Sequence, residues 1–399
     1  MKEPRNSEQT LPQLSKKQRA KIDPEYVRKF IVNLFEDDMH ALRVVSLANG
    51  VVGVLHAAAL AIHAIGQAYA RVAQITPKSG VKQVDRMLSN SGLDLRVILK
   101  SWVQFVVGAR KEIVIALDWT DFDKDDHTTL CAYVVTRHGR ATPLVWKTVN
   151  KSTLKGTRNE HEYELVEWLH EAIATDVDVV LLADRGFGDQ KLYETLQALG
   201  WDFVIRFRGG ISVQNAAGET RAADAWVPKN GRATMLRNVN VTDDRAPLPA
   251  VVVARARKMK ETWCLATTLS KRTASAIVKL YGKRFSIEET FRDEKNLHFG
   301  MGLAATHIHD GARRDRLLLL AAIAHALLTL LGAASEEAGL DQYLKVNTVK
   351  RRTHSLYRQG LYWYDCIPTM REDWLQPLMT AFDRIVREQA VFREIFGII

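Results

Sequence analysis

Three acidic residues, far apart in the chain, occupy positions from which they can build a metal site. Asp118 and Asp184 each come at the end of an apolar run that is typical of a strand, and Glu288 lies in Tyr281–Lys295, which has a helical pattern. If the two strands are neighbours, both aspartates emerge at one edge of a sheet, and Glu288 can add a third carboxylate. Carboxylates are the hard ligands that Mg²⁺ requires, and Mn²⁺ can substitute. Two such ions can activate a water or 3′-hydroxyl and stabilise the leaving oxygen of a phosphodiester.

Each carboxylate also has an ordinary structural alternative. Asp118 and Asp184 can accept backbone hydrogen bonds in turns, and Glu288 can form an ion pair on a helix surface, with Glu289 beside it as a rival. The order of two strand-end aspartates and a helical glutamate favours the metal site over three coincidences. Four further aspartates fall in one loop and are predicted to be solvated: Asp121, Asp123, Asp125 and Asp126.

The helical segment brings two cations and a phenol to the face that carries Glu288. At about 100° per residue, Tyr281, Arg284, Glu288 and Lys295 fall within an arc of roughly 60°. The alternative is a solvated helix face with ordinary ion pairs. We predict one continuous helix here, preceded by a strand over Thr262–Thr267.

The elements that must position these residues follow one another in an order typical of an α/β fold. The pattern predicts a three-stranded meander, a helix, a strand, a helix and a last strand: Glu112–Trp119, Leu130–Thr136, Thr142–Thr148, Asn159–Thr175, Asp178–Ala183, Asp189–Leu199 and Asp202–Phe207. This is the order of the RNase H-like fold, and we predict such a catalytic domain over residues 111–335. Residues 209–262 break the pattern with short strand-like pieces and indicate a β-rich insertion.

Helical patterns flank this core on both sides. Residues 1–24 are predicted to be a flexible basic tail, residues 25–110 a helical domain and residues 336–399 a helical carboxyl-terminal region. Val51–Val72 is predicted to be one buried helix. The residues Thr76–Gly80 predict a turn, and Val81–Leu88 predicts a helix. In a helix–turn–helix, Lys82 and Arg86 of this helix could contact DNA phosphates; the alternative is an ordinary surface helix.

Composition narrows the class of partner and the compartment. The chain has 399 residues, a formal charge of +10 and three cysteines without metal-ligand spacing. The pI of about 9.4 indicates a polyanionic partner. Nucleic acid is expected first, and a membrane surface second. A reducing compartment is expected, and the polar amino terminus is no signal peptide. The apolar run Leu317–Leu331 is too short to span a bilayer, and His325 within it is predicted to be a packed core residue.

The spacing Tyr-x₂-Arg-x₃-Glu-x₆-Lys over Tyr281–Lys295 resembles the signature of the IS-four family, the hairpin-forming, cut-and-paste DDE transposases. The blocks Ile115–Asp121 and Ala183–Phe187 resemble those around the family's two catalytic aspartates, and the match is nearest to the Tn-ten branch, with the Tn-five enzyme sharing the same blocks. The resemblance implies an RNase H-like domain with a β insertion, Mg²⁺-dependent excision through a DNA hairpin, and joining of the 3′ ends to target DNA. It also implies a homodimer that pairs the two terminal inverted repeats of the element. The expected location is the bacterial cytoplasm, in association with the nucleoid.

The resemblance assigns further residues to DNA. Tyr281, Arg284 and Lys295 match positions that hold hairpin phosphates, a role that suits a forked guanidinium and a point charge. Trp263 matches a tryptophan on which a flipped base stacks; a core tryptophan is the alternative. Weaker candidates for the DNA path, each of which can also be a solvated surface residue, are Lys82, Arg86, Arg206, Arg208, Lys258, Arg292 and Arg351.

Two other classes of function compete with an active transposase. An inactive or repurposed copy would act as a DNA-binding regulator, but the intact Asp118, Asp184 and Glu288 argue against it. A cellular RNase H-like nuclease or junction resolvase would need neither the insertion nor end specificity.

Overall fold

The computed structural model describes residues 24–136, 140–256, 259–295 and 301–388, in a mixed α/β architecture. The helices are α1 (Pro24–Phe35), α2 (Ala41–Ala57), α3 (Ile62–Ala73), α4 (Pro77–Leu88), α5 (Leu95–Val107), α6 (Arg158–Ala172), α7 (Gln190–Ala198), α8 (Ala274–Gly282), α9 (Ser286–Lys295), α10 (Gly311–Glu337), α11 (Leu356–Cys366) and α12 (Glu372–Glu388). The strands are β1 (Glu112–Phe122), β2 (His127–Val134), β3 (Thr142–Asn150), β4 (Asp178–Ala183), β5 (Asp202–Phe207), β6 (Ser212–Gln214), β7 (Thr220–Ala222), β8 (Thr234–Val241), β9 (Ala246–Ala254) and β10 (Trp263–Thr267).

The strands form one ten-stranded sheet in the order β3-β2-β1-β4-β5-β10-β9-β8-β6-β7. β1 is antiparallel to β2 and parallel to β4, which is in turn parallel to β5. β4 is apolar along nearly its whole length because both faces of this parallel part are covered. The first five strands have the predicted order and are consistent with an RNase H-like core.

The predicted insertion does not form a separate sheet. β10 pairs with β5 on one side and with β9 on the other, both antiparallel, so the strands within residues 209–262 extend the central sheet. This arrangement connects the insertion directly to the strand that ends next to the catalytic candidates.

The single helix predicted over Val51–Val72 is wrong. α2 ends at Ala57, Ala58 adopts a left-handed conformation with φ of 48°, and α3 starts at Ile62. The axes of α2 and α3 meet at 100°. The apolar composition gave no sign of this break, because only the backbone at Ala58 reverses the chain.

α4 begins earlier than its pattern indicated. The hydroxyl of Thr76 accepts a hydrogen bond from the Ser79 N–H at 3.2 Å, and Pro77 occupies the first helical turn, so the predicted turn over 76–80 is instead a helix start. In the last turn of α4, Asp85 forms an ion pair of 2.7 Å with Arg313 at the start of α10.

α10 is the central helix of the core. The helix extends the run predicted over Leu317–Leu331 to 27 residues, so the prediction that it is too short to cross a membrane is wrong by length and composition; 94% of its most apolar window is buried inside the protein. The ring of His325 is fully buried and stacks on Tyr357 of α11 at 4.4 Å between ring centroids, which confirms the predicted core histidine. α10 and α11 approach closely where Gly332 faces the backbone of Leu356.

The buried apolar side chains form one cluster that extends from Val27 in α1 to Ile385 in α12. The domain boundaries at residues 24/25, 110/111 and 335/336 therefore stay predictions. Residues 1–23 of the tail predicted over 1–24, the position of Lys258, and residues 389–399 of the predicted carboxyl-terminal region lie outside the described residues.

Candidate active site

The sheet brings the two aspartates together at one edge. β1 and β4 are parallel and in register with Leu117 opposite Ala183, so Asp118 and Asp184, each the next residue, leave adjacent strands side by side. β1 continues to Phe122, so that Asp118 lies within the strand and not at its end. The two strands are neighbours as expected, and their register puts Asp118 beside Asp184 where β4 ends, although β1 itself continues.

Glu288 reaches the same place from α9. Tyr281–Lys295 is helical, but a short 3-10 turn over Lys283–Phe285 separates α8 from α9 where one continuous helix was predicted. Asp118, Asp184 and Glu288 all line one open cavity of about 640 Å³, whose rim also includes Arg292 and Lys295.

Arg284 lies between two of the three carboxylates. Its Nη1 donates to Oδ2 of Asp118 at 3.0 Å and its Nη2 to Oε1 of Glu288 at 2.8 Å. The Arg284 side chain is only 7% exposed. The other oxygen of Asp118 accepts the Trp119 N–H at 2.9 Å, so both oxygens of this carboxylate are engaged. The guanidinium thus joins the largely buried carboxylate of Asp118 to the exposed carboxylate of Glu288.

The electrostatics reflect this crowding. Burial raises the pKa of Asp118 to about 6; Arg284 lowers it, and the nearby charges of Asp184 and Glu288 raise it. Burial lowers the pKa of Arg284, but Asp118, Tyr281 and Glu288 more than offset this, and its pKa lies above the ordinary value. A carboxyl with such a raised pKa in a cleft is typical of a functional site.

The donor set fits a hard divalent cation, although its present arrangement does not. Within the described ranges, no group of three His, Cys, Asp or Glu side chains is arranged to hold a metal ion. Three carboxylates facing one cavity nevertheless supply the oxygen donors that Mg²⁺ prefers. The Asp184 Oδ1 accepts the Gly186 N–H at 2.8 Å, which orients that carboxylate after β4.

The aromatic residues form a group beside the carboxylates. Trp263, at the start of β10, is half-buried and makes an edge contact with the buried ring of Tyr281, at 4.9 Å between centroids. The sequence analysis missed Phe285, whose ring lies 6.1 Å from Trp263 and is 43% exposed. An aromatic residue next to Arg284 in the helical segment was the available signal. Stacking on a base stays a prediction for Trp263.

The remaining cations of the segment have local partners. Lys295 Nζ donates to the backbone oxygen of Asp121 at 2.6 Å and lies 4.4 Å from the Phe122 ring centroid, and burial lowers the pKa of Lys295. Arg292 forms an ion pair with Glu289 and is 59% exposed. Both line the cavity with Glu288 and are placed where a phosphate backbone could reach them.

Arg206 and Arg208 belong to a second, basic cavity of about 320 Å³ at the junction of β5 with the insertion. The carboxylate of Glu261 joins Arg206 at 2.5 Å and Arg185 at 3.1 Å, and Arg208 is exposed. Arg185, which also lines this cavity, directly follows Asp184 in the chain. DNA contact stays a prediction for these arginines.

The outlying candidates lie on exposed surfaces away from the carboxylates. Lys82 and Arg86 are exposed on α4, and Arg351 is exposed in the irregular segment before α11. The structure does not bring them to the cavity that contains Asp118.

Two acidic residues are buried in a way that the sequence analysis did not predict. Asp125, predicted to be solvated, is buried and forms an ion pair with the fully buried Arg314. Glu162, which the sequence analysis did not select, is fully buried and accepts the Trp119 indole N–H at 2.7 Å, while Arg158 donates to the same oxygen at 3.2 Å. Glu162 thereby fixes the residue next to Asp118; its place on the apolar face of α6 was the only signal.

Comparison with known families gives an independent assignment. Residues 109–327, more than half of the chain, match the family described as Transposase DDE domain. No curated protein matches the chain. The matched range contains Asp118, Asp184 and Glu288 and spans the sheet from β1 to β10. The chain belongs to the family of transposase DDE domains, which are DNA-binding, metal-dependent nucleases and strand transferases.

Proposed function

We propose that the protein is an insertion-sequence transposase of the IS-four type. It binds the terminal inverted repeats of its element, cuts them free through a hairpin intermediate and joins the 3′ ends to target DNA. The observation that carries the proposal is the convergence of Asp118, Asp184 and Glu288 on one cavity from two adjacent strands and a helix. The intact set of carboxylates favours an enzyme over a DNA-binding regulator without cutting activity.

Asp118, Asp184 and Glu288 would hold two Mg²⁺ ions, or Mn²⁺ in their place. Bound divalent ions supply activation of the attacking oxygen and stabilisation of the leaving one. Arg284 and Lys295 would hold phosphates beside the cut, because a guanidinium and an ammonium both bind phosphate oxygens. Tyr281 would also hold a hairpin phosphate, through its hydroxyl. Its buried ring makes an edge contact with Trp263, on whose indole an expelled base would stack.

The wider DNA path would follow the charge on the surface. Arg206 and Arg208 of the basic cavity and Arg292, which lines the cavity with Asp118, would contact the DNA backbone. The exposed Lys82 and Arg86 of α4 would contact the transposon end. Arg351 would contact DNA from the carboxyl-terminal region.

A homodimer would pair the two transposon ends. The carboxyl-terminal region exposes the large apolar side chains of Tyr343, Val346 and Tyr362, which are 55%, 66% and 51% exposed. Such side chains are common at protein interfaces. We place the protein in the bacterial cytoplasm at the nucleoid, where its DNA substrate lies.

The decisive experiment replaces Glu288 by Gln and assays cleavage of linear DNA that carries the inverted repeat flanking the gene. We expect cutting to fall on the order of 10³–10⁴-fold, as when an essential member of a catalytic set is lost, while end binding is retained. Glu289→Gln is the matched control, since Glu289 is adjacent but pairs outward with Arg292. Retained cutting by Glu288→Gln, or equal loss in both variants, would refute the assignment.

A further inference from the structure

Arg284 occupies the acidic cavity in a way that conflicts with metal binding. Its guanidinium donates hydrogen bonds to Oδ2 of Asp118 and to Oε1 of Glu288, while the Trp119 N–H donates to Oδ1 of Asp118. Both carboxylate oxygens of Asp118 therefore already accept a hydrogen bond. A cation that binds Asp118 and Glu288 through the two oxygens that Arg284 holds must share or displace the guanidinium.

The contact is strong but incomplete. Charge-assisted hydrogen bonds to two carboxylates stabilise a buried arginine, and the 7% exposure of Arg284 leaves little water to compete. Yet the Nε of Arg284 is buried and has no hydrogen-bond partner among the described residues. The guanidinium is thus not fully satisfied in this position, which lowers the cost of leaving it.

A route from the carboxylates to the open face lies next to Arg284. The residue belongs to the 3-10 turn between α8 and α9, and its guanidinium lies 5.1 Å from the ring centroid of the neighbouring, partly exposed Phe285. The cavity itself is open to solvent beside Arg292 and Lys295. A rotation of the Arg284 side chain can therefore exchange carboxylates for a phosphate at the rim, since a guanidinium forks onto either group.

We propose that Arg284 is an exchangeable counter-ion that couples the two ligands of this site: it holds Asp118 and Glu288 together in the free protein, and it moves to a DNA phosphate when a divalent cation takes these carboxylates. Metal and DNA then strengthen each other's binding, and the factor is the same in both directions. This inference rests on the proposed function, because it assumes that the same carboxylates hold the metal.

The first test measures Mn²⁺ binding without DNA, by electron paramagnetic resonance at about pH 8.5, where carboxylates are ionised. Arg284→Gln removes the competing cation and should bind Mn²⁺ on the order of tenfold more tightly than the unchanged protein. Arg292→Gln is the matched control, since it removes one positive charge from the same rim but contacts only Glu289. Its effect should stay within about threefold.

Two further variants keep this test decisive. Arg284→Lys retains the charge but cannot span both carboxylates, and it should have an intermediate affinity; it also serves if Arg284→Gln does not fold. Glu288→Gln should lose Mn²⁺ binding. If Glu288→Gln binds Mn²⁺ normally, the proposed function itself fails. If it loses binding but the Arg284 variants resemble the unchanged protein, only the counter-ion inference is overturned.

The second test measures binding of a short, blunt-ended, fluorescent DNA duplex by anisotropy, with and without Ca²⁺, in place of Mg²⁺ to avoid cutting. The unchanged protein should bind the duplex several-fold more tightly with Ca²⁺ than with Na⁺ at the same ionic strength. Arg284→Gln should show no such gain. An equal gain in both proteins would overturn the proposed coupling.

Discussion

Replacement of Asp118 by Asn should stabilise the metal-free protein, although it destroys a proposed metal ligand. Folding places this carboxyl in a buried position beside Asp184 and Glu288, and its pKa rises to about 6 from an ordinary value of 3.8. The ionised form is thus disfavoured in the folded state. A difference of about two pKa units corresponds to about 3 kcal/mol of unfolding free energy.

The sign fixes the pH range in which the gain should be observed. A carboxyl whose pKa is raised by folding contributes no penalty below its unfolded pKa, where it is protonated in both states. The penalty develops as the pH rises from 3.8 to the folded pKa of about 6, and it is complete above that value. Asn resembles the neutral acid at every pH. Asp118→Asn should therefore gain about 2–3 kcal/mol near pH 7.5 and almost nothing near pH 4.

Urea unfolding in the presence of a chelator measures this difference directly, with the two pH values as each other's control. Saturating Mg²⁺ should reverse the order, because it binds the folded, unchanged protein and raises its unfolding free energy, whereas the variant lacks the ligand. The reasoning is refuted if Asp118→Asn is destabilised at both pH values, or if its gain is the same at both.

Three further predictions concern packing and DNA. Gly332→Ala should lower the unfolding free energy by about 2–4 kcal/mol in denaturant titrations, because the added Cβ would lie 1.9 Å from the Leu356 carbonyl oxygen. The control Gly210→Ala, whose Cβ would have nothing within 4 Å, should change the unfolding free energy by less than about 0.5 kcal/mol. Trp263→Ala should slow hairpin formation on pre-nicked DNA about tenfold or more and leave first-strand nicking almost unchanged, by the loss of base stacking; equal loss of both steps would indicate core packing instead. Lys82→Ala should weaken binding of the transposon end. The slope of log affinity against log salt concentration should fall by the amount that corresponds to about one lost phosphate contact, and an unchanged slope would show that Lys82 of α4 does not contact the DNA backbone.

Much of the core could be predicted from the sequence because the relevant physics is local. β4 over Asp178–Ala183 has the predicted bounds, and β5 and α7 differ from their predictions by at most one residue at either end. Apolar runs of strand length and helical periodicity depend on neighbouring residues alone. The pairing of β1 with β4, which β2, β3 and α6 separate in the chain, was expected only through the order of the RNase H-like fold, and it places Asp118 beside Asp184.

The failures arise where distant parts of the chain meet. The break between α2 and α3 depends on one left-handed residue, Ala58, in a run whose composition favours helix. Asp125 looked solvated because its partner, Arg314, is 189 residues away. The strands of the insertion could be located, but their attachment to β5 is a matter of sheet pairing that local propensity does not encode.

The sequence alone determined which side chains are available for chemistry: two aspartates after strands, a glutamate on a helix, and the cations spaced around it. The tertiary structure decided their mutual arrangement, above all that Arg284 donates to Asp118 across 166 residues while it pairs with Glu288 on its own helical segment. The physical reason is that residue types and periodicities are fixed along the chain. The charge that faces a buried carboxylate is fixed only when the sheet and the helix pack together.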